Sequence, residues 1–517
     1  MTPATGELRT VNPRSNSNTP TQASYSRRWA ALAVLMLPVL LVSVDNTVLS
    51  FALPEISAQL SPSGTQLLWI NDIYPLILSG LLIPAGSMGD RFGRRTMLLL
   101  GGFGFTLISA AAAFAPTAAW LIAARAGMGI FGAMLMPATL SIIRNMFADA
   151  TERRTAIAIW ASGFAGGAAL GPVVGGFLLE HFYWGSVFLM AVPVLLPMLL
   201  LGFWLIPNSK DPNPGTIDFV SIALIMATMT PFVYAIKHFA HDGFDLLTVV
   251  LLLVATICGI AFTRRQLART NPMLDVRLFT NKQFTGAVLT NLMAIFSLVG
   301  FLYFVSQHLQ LVSGHSPFSA ALVLLPGLVL TVIAGLVVVY IVKVVKPWIV
   351  IAGSLLMNAA AFALVFFTAN SGSDTGVLVA FALLGVGIGF AETLTNDIIL
   401  AAVPPHKAGA ASAISETAYE TGSVMGTAIL GSILNAAYVA HLVVPEGVSA
   451  ADADAARETL GGAAEVAEGI GGETGAALLA SAQHAFDSGV VYTSAIGVVL
   501  MLLCAVMVVR TLRGVKM

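Results

Sequence analysis

The sequence predicts an all-α integral membrane protein of about fourteen transmembrane helices, on three observations: its composition, its long apolar runs and the placement of its basic residues. Of 517 residues, 57% are hydrophobic and 10% charged, against about 25% charged in a soluble domain. Too few polar groups remain to cover a water-facing surface, so lipid is the solvent that fits. A hydrocarbon layer about 30 Å thick takes about 20 apolar residues as helix. Such runs fall near 30–53, 67–88, 96–115, 118–140, 155–178, 184–206, 216–237, 246–263, 284–307, 318–341, 347–368, 376–400, 409–432 and 487–510.

Basic residues flank these runs on alternate sides. With the N-terminus taken as cytoplasmic, twenty-two of the 25 Lys and Arg residues fall in inner segments, and the outer loops hold only Lys237 and Arg457. This bias orients a membrane protein, and an even number of spans returns the C-terminus to the cytoplasm. Residues 1–28, rich in Ser, Thr, Asn and Pro, read as a disordered tail. The run that follows is too long for a cleavable signal and lacks a small-residue cleavage site. The spans divide as six, two and six: a bundle over 29–207, two inserted helices over 208–265, and a second bundle over 266–517. Transporters built from two halves carry the substrate site at their interface. The loop 433–486, in the second bundle, is expected outside. It is rich in Ala, Gly and acids, with helix-forming composition over 450–468. A solvated spacer and a lid over an outer vestibule are both open readings of it.

Cys258 and Cys504 lie inside apolar runs and read as filler. No Walker-type phosphate loop, HExxH or CxxC is present, so ATP-driven transport, a resident metal or cofactor and enzymatic catalysis are not expected. Basic residues flank spans rather than forming a nucleic-acid patch. His181, His238, His241, His308 and His315 fall largely in predicted outer loops, and solvation is the expected state of His238 and His241.

The strongest local signal is Gly86-Ser87-Met88-Gly89-Asp90-Arg91-Phe92-Gly93-Arg94-Arg95, between the second and third spans. Its glycines permit a tight turn, and Asp90 can pair with arginines and a helix N-terminus. Gly86, Asp90, Arg91, Gly93, Arg94 and Arg95 read either as a conformational latch or as a positive anchor. In the fifth predicted span, Pro172 removes a backbone hydrogen bond. Gly167, Gly171, Gly175 and Gly176 allow another helix to approach closely, as a hinge or seal or as plain packing.

The decapeptide resembles the signature loop of the major facilitator superfamily. Val44-Asp45-Asn46-Thr47-Val48 with Ala52-Leu53-Pro54 resembles the first-helix motif of its fourteen-span drug/proton antiporter branch. Arg125-Ala126-Gly127-Met128-Gly129 matches the fourth-helix arginine motif, with Met128 where Gln is usual. The Gly167 to Gly176 pattern resembles the antiporter motif of helix five, and Trp184 to Phe188 with Pro193 the start of helix six. The counterpart of the signature loop near Val339 to Lys346 keeps Lys343 and Lys346 but no Asp. The resemblance implies a major facilitator fold with two additional central helices. It also implies transport roles for acids at Asp45, Asp72 and Glu416.

Charged groups inside a membrane are costly and mark function. Asp45, Asp72, Arg125, Glu392, Asp397, Glu416 and Glu420 all fall in predicted spans, and no lysine matches the acids of the second half. Desolvation favours a protonated carboxyl and a bound cation favours the anion, so one acid holds a proton or a cation but not both well. Asp45, Arg125 and Glu416 are the expected proton-coupling residues, although Asp45 and Arg125 also fit a static ion pair. Asp72, Trp69, Tyr74, Glu392, Asp397, Glu416, Tyr419 and Glu420 are the expected substrate-binding polar and aromatic residues. Asp72 has a rival reading as a water-exposed helix-end acid, and Asp397 as a solvated or capping one. Trp160 with Phe164, and Phe301 with Phe304, offer aromatic faces that attract cations.

The expected function is proton-coupled export of mono- and divalent lipophilic cations by alternating access, with protons, cationic small molecules and the bilayer as partners and a monomer as the working unit. Export of an endogenous metabolite, lipid or siderophore is the rival, and a non-transporting membrane sensor a more distant one.

Overall fold

The computed structural model describes residues 25–147, 149–210, 218–270, 272, 274–368, 374–402 and 408–514. The expected tail falls outside these up to residue 24, as do the side chains of Asp90 and His241. No strand occurs among the described residues.

The helices are α1 (Tyr25–Leu60), α2 (Gly64–Phe92), α3 (Arg94–Ala113), α4 (Ala118–Met146), α5 (Ala150–His181), the short α6 (Ser186–Leu189) and α7 (Ala191–Leu205). Next come the inserted pair α8 (Phe219–Asp242) and α9 (Leu246–Ala268). The second half holds α10 (Lys282–Gln307), α11 (Pro317–Ile341), α12 (Pro347–Thr368), α13 (Thr375–Ala401) and α14 (Ala408–Gly426). It ends with α15 (Ser432–His441), α16 (Ala450–Glu458), α17 (Leu460–Ile470) and α18 (Gly472–Leu512). A π-helical turn, Thr427–Gly431, joins α14 to α15. Thirteen segments among the described residues are long and apolar enough to cross a membrane. The 32-residue α5, roughly 48 Å long at 1.5 Å per residue, has the length for a fourteenth.

Local sequence sets the helix starts. Ser63 and Gln66 form a reciprocal capping box on α2. Ser316 caps α11 with Pro317 in the first turn, where proline's missing N–H costs nothing. Prolines inside α1 and α5 pose a different problem, because a freed carbonyl in lipid has no water to bond. Pro172 frees the carbonyl of Ala168, and the Thr47 hydroxyl of α1 donates to it at 3.1 Å. Pro54 frees the carbonyl of Ser50, and Ser306 of α10 donates to that one at 2.8 Å.

Helices α1–α7 form one bundle and α10–α18 the other. The central α10 is largely buried, whereas α8 and α9 have few buried residues and flank the bundles. Asp218, at the start of α8, pairs with Arg265 on α9 at 2.8 Å and with Arg269 just past its end at 3.2 Å. Hydrogen bonds from Arg265 hold its carboxyl well below the usual carboxylate range. A cleft of about 640 Å³ lies between α8 and α9, lined by residues such as Met229, Phe232, Gly259 and Ile260.

Alternation of the spans places Tyr25 and Leu512 on one face, here the terminal face, and the loops at 61–63 and 313–316 on the other, the far face. The loop 433–486 differs from a solvated spacer. Helix α15 runs to His441, α16 and α17 follow, and α18 starts at Gly472 instead of near 487. These pieces seat on the ends of α1 and α2. The Ser57 and Thr459 hydroxyls share a hydrogen bond at 2.6 Å. Gly64 N–H donates to Glu458 at 2.8 Å, and Tyr438 OH donates to the carbonyl of Ala456 at 2.7 Å. The small residues that looked linker-like instead permit close contact: a side chain at Gly461 would meet Ser57 Cβ at 2.7 Å.

Candidate transport site between the bundles

Asp45 sits mid-way along α1 and Arg125 in the second turn of α4, and the two meet at 2.6 Å with both side chains buried. An isolated charge there would be expensive, and the pair with its hydrogen bonds removes most of that cost. Arg125 also donates through Nε to the carbonyl of Ile70 at 3.3 Å, and its guanidinium lies 4.6 Å from the centre of the Tyr74 ring. The expected proton-coupling pair is therefore one fixed constellation with Tyr74 as its third member.

From the next residue of α1 the site crosses to the other bundle. Asn46 donates to Glu420 of α14 at 3.4 Å. Glu416 lies one turn earlier on the same face of α14, and its charge acts on Glu420 while that of Glu392, on α13, acts on Glu416. One carboxylate oxygen of Glu416 and one of Glu420 are buried without a hydrogen-bond partner. Among the described residues, no salt bridge reaches Glu392, Glu416 or Glu420. Beside them Tyr419 meets Phe164 of α5 edge-on, with ring centres 5.6 Å apart. Phe164 in turn stacks on Trp160 at 6.4 Å. The Trp160 indole donates to Thr139 of α4 at 3.1 Å.

Other expected residues are placed elsewhere. Phe301 and Phe304 face the interior of the second bundle, where Phe301 packs on Phe362 and Phe381 at 5.8 and 5.6 Å. Asp397 is exposed near the terminal end of α13. Asp72 is fully buried, which removes its reading as a water-exposed acid. Its partner was not legible as such: Lys237, placed by charge counting in an outer loop, is buried in α8 with its ammonium 2.9 Å from Asp72. Trp69 lies over that ammonium at 4.2 Å. Asn71 donates to Asp72 at 3.2 Å and to Thr427 at 2.9 Å. His238 also differs from its solvated expectation, pairing with Asp245 at 3.0 Å. That hydrogen bond holds the Asp245 carboxyl down at about 2.

The turn between α2 and α3 contacts its own bundle. Gly93 adopts φ 108°, the left-handed region that favours glycine. Arg94 N–H donates to the carbonyl of Ser209 at 3.0 Å, and Arg95 donates to the carbonyls of Phe203 and Ile206 at 3.1 and 3.2 Å. Arg91 is exposed, and a side chain at Gly86 would touch Pro137 at 3.6 Å. The glycines of α5 divide between two partners. Gly167, Gly171 and Gly175 seat α1, against Ser43, Thr47 and Val48. A side chain at Gly176 would meet the Phe318 backbone of α11 at 2.7 Å, in the other bundle.

Two helical bundles in a membrane, with polar and acidic side chains buried at their contact, are the architecture of a polytopic membrane transporter. The chain belongs to the Major Facilitator Superfamily, whose sequence profile matches residues 35–427. It is 51% identical to the multidrug efflux pump LfrA of Mycolicibacterium smegmatis, over 96% of this chain and 97% of that one. It is 37% identical to the methyl viologen resistance protein SmvA of Salmonella typhimurium, over 89% and 93%. Among solved structures, a bacterial homolog of the human lysosomal transporter Spinster, inward-facing and occupied, superposes with a TM-score of 0.64 at 19% identity. That match covers 95% of this chain and 98% of that one, and it bears on the fold alone.

Proposed function

We propose that this chain exports lipophilic mono- and divalent cations, drugs among them, in exchange for protons. The reading rests on one observation: Glu416 and Glu420 keep buried, unpartnered carboxylate oxygens beside aromatic rings, across the bundle contact from the Asp45–Arg125 pair. A buried acid without a cation takes a proton, and a cation that enters displaces it. Tyr419, Phe164 and Trp160 supply faces for a cation that has no hydrogen to donate. Asn46 links Glu420 to the α1 segment that carries Asp45, so a change of charge on either side is felt by the other. The multidrug and methyl viologen names of the relatives are in keeping with cationic cargo.

In this reading the termini are cytoplasmic, the membrane is the bacterial plasma membrane and the chain works as a monomer. A proton moving inward across 100 mV supplies about 2.3 kcal/mol. Asp45, Arg125 and Glu416 carry the proton linkage, with Glu392, Glu420 and Tyr419 holding cargo. The turn from Gly86 to Arg95 and the α5 glycines stabilise one of the two alternating conformations. Phe301, Phe304 and Asp397 take no direct part.

Purified protein in liposomes tests this. An imposed pH gradient, acidic on the side opposite the cargo, should drive a cationic dye across while protons move the other way. Dye movement indifferent to the gradient would refute the exchange.

A further inference from the structure

The ion pair Asp72–Lys237 joins a bundle helix, α2, to an inserted helix, α8, and its two side chains are both fully buried. Its geometry is unlike that of a structural tie. A buried ammonium with three donors is normally saturated with acceptors. Here Lys237 Nζ meets one acidic acceptor among the described residues, Asp72 at 2.9 Å. What the ammonium has is a carboxylate charge on one side and the Trp69 ring 4.2 Å away on the other. Tyr234 packs against that ring at 6.2 Å. A negative charge with an aromatic face is what a quaternary ammonium or phosphonium requires.

The place of the pair fits the same idea. Asn71 reaches Thr427 at 2.9 Å, on the π-turn that continues the helix carrying Glu416 and Glu420. Asp72 therefore lies along the contact of the bundles, nearer the far face than the acid cluster. The lysine sits on an element at the flank of the bundles. Few residues of α8 are fully buried, and Pro231, six residues before Lys237, removes a backbone hydrogen bond there.

We infer that Lys237 is a tethered stand-in for cationic cargo: its ammonium fills a second cation site made by Asp72 and Trp69, and the cargo's charge takes its place during transport. This rests on the proposed handling of cations and deepens it. The inserted pair then sets affinity at the second site, because every guest competes with a covalently attached cation. Cargo leaves readily for the same reason, since Lys237 returns to the carboxylate behind it.

The test is tetraphenylphosphonium binding to the purified full chain, by titration calorimetry. Lys237→Met should bind about tenfold or more tightly, the order expected when a desolvated cation–π and carboxylate site loses its competitor. The gain should vanish in Lys237→Met/Asp72→Asn. A folded Lys237→Met that binds no more tightly than the unaltered chain overturns the inference while leaving cation handling intact. An unaltered chain that binds no tetraphenylphosphonium overturns both. Should Lys237→Met not fold, the unaltered chain decides the matter through reductive methylation of Lys237, read by mass spectrometry. Saturating tetraphenylphosphonium should speed that methylation severalfold, and an unchanged or slower rate overturns the inference.

Discussion

Asn46 of α1 donates to Glu420 of α14 across 3.4 Å, and the residue before it, Asp45, holds Arg125 of α4 at 2.6 Å. One stretch of α1 thus touches the buried cation of its own bundle and the buried acids of the other. Asp45→Asn would leave Arg125 without its anion. Breaking a buried pair in this way costs about 3–5 kcal/mol, so the variant should melt well below the unaltered protein and fail to export. Asp45→Asn/Arg125→Gln should regain much of the stability but none of the transport. Thermal melting in detergent and dye efflux from cells read the two separately.

Thr47 meets a carbonyl that Pro172 leaves without its helical donor. Thr47→Val should destabilise by about 0.6–1.7 kcal/mol, the range for a side-chain hydrogen bond between membrane helices. Pro172→Ala returns the missing N–H, so Thr47→Val in that background should cost less. The double-mutant cycle measures the coupling; strict additivity would remove this account of the pair.

Gly176 faces backbone atoms of Pro317 and Phe318, which have no room to turn aside. Gly176→Val should therefore part α5 from α11 at the far face and slow transport. A thiol reagent applied from that face should label a cysteine placed at Phe51, buried in the present structure, faster in this variant.

Asp218 bridges the inserted helices to one another through Arg265 and Arg269. Its carboxyl titrates lower in the folded chain than in the unfolded one. The pair's stabilisation is therefore complete above the unfolded value of about 4 and is lost as pH falls through the lower folded value. Asp218→Asn keeps an amide oxygen that can cap α8 but removes the charge. It should lower the melting temperature at pH 7, and by the same amount at pH 6.

Much of the fold was legible because lipid allows few solutions: long apolar runs must be helices. The ends were less so. Apolarity stops at polar residues whereas the helix does not, and α1 continues to Leu60 and α18 begins at Gly472. Shared helical faces placed Glu416 beside Glu420, yet could not say which way the face of Phe301 and Phe304 pointed; it turned into the bundle. Lys237 was misplaced because a lysine at the end of an apolar run looks like an interfacial anchor. Its partner lies far upstream, and the available signal was only that Asp72, an acid at similar depth, had no cation of its own. The α5 glycines were legible as close-packing positions, but only the assembled helices assign Gly176 to a different partner from the other three.

The central claim is that the acids between the bundles hold a proton or a cation in turn, and the protons displaced by cargo measure it most directly. Tetraphenylphosphonium is mixed with purified protein in weakly buffered solution, and the protons released are counted between about pH 6 and 8. Binding should release protons and tighten as pH rises, and Glu416→Gln/Glu420→Gln should release fewer. Tight binding that releases no protons, with an affinity flat across that range, would contradict the account.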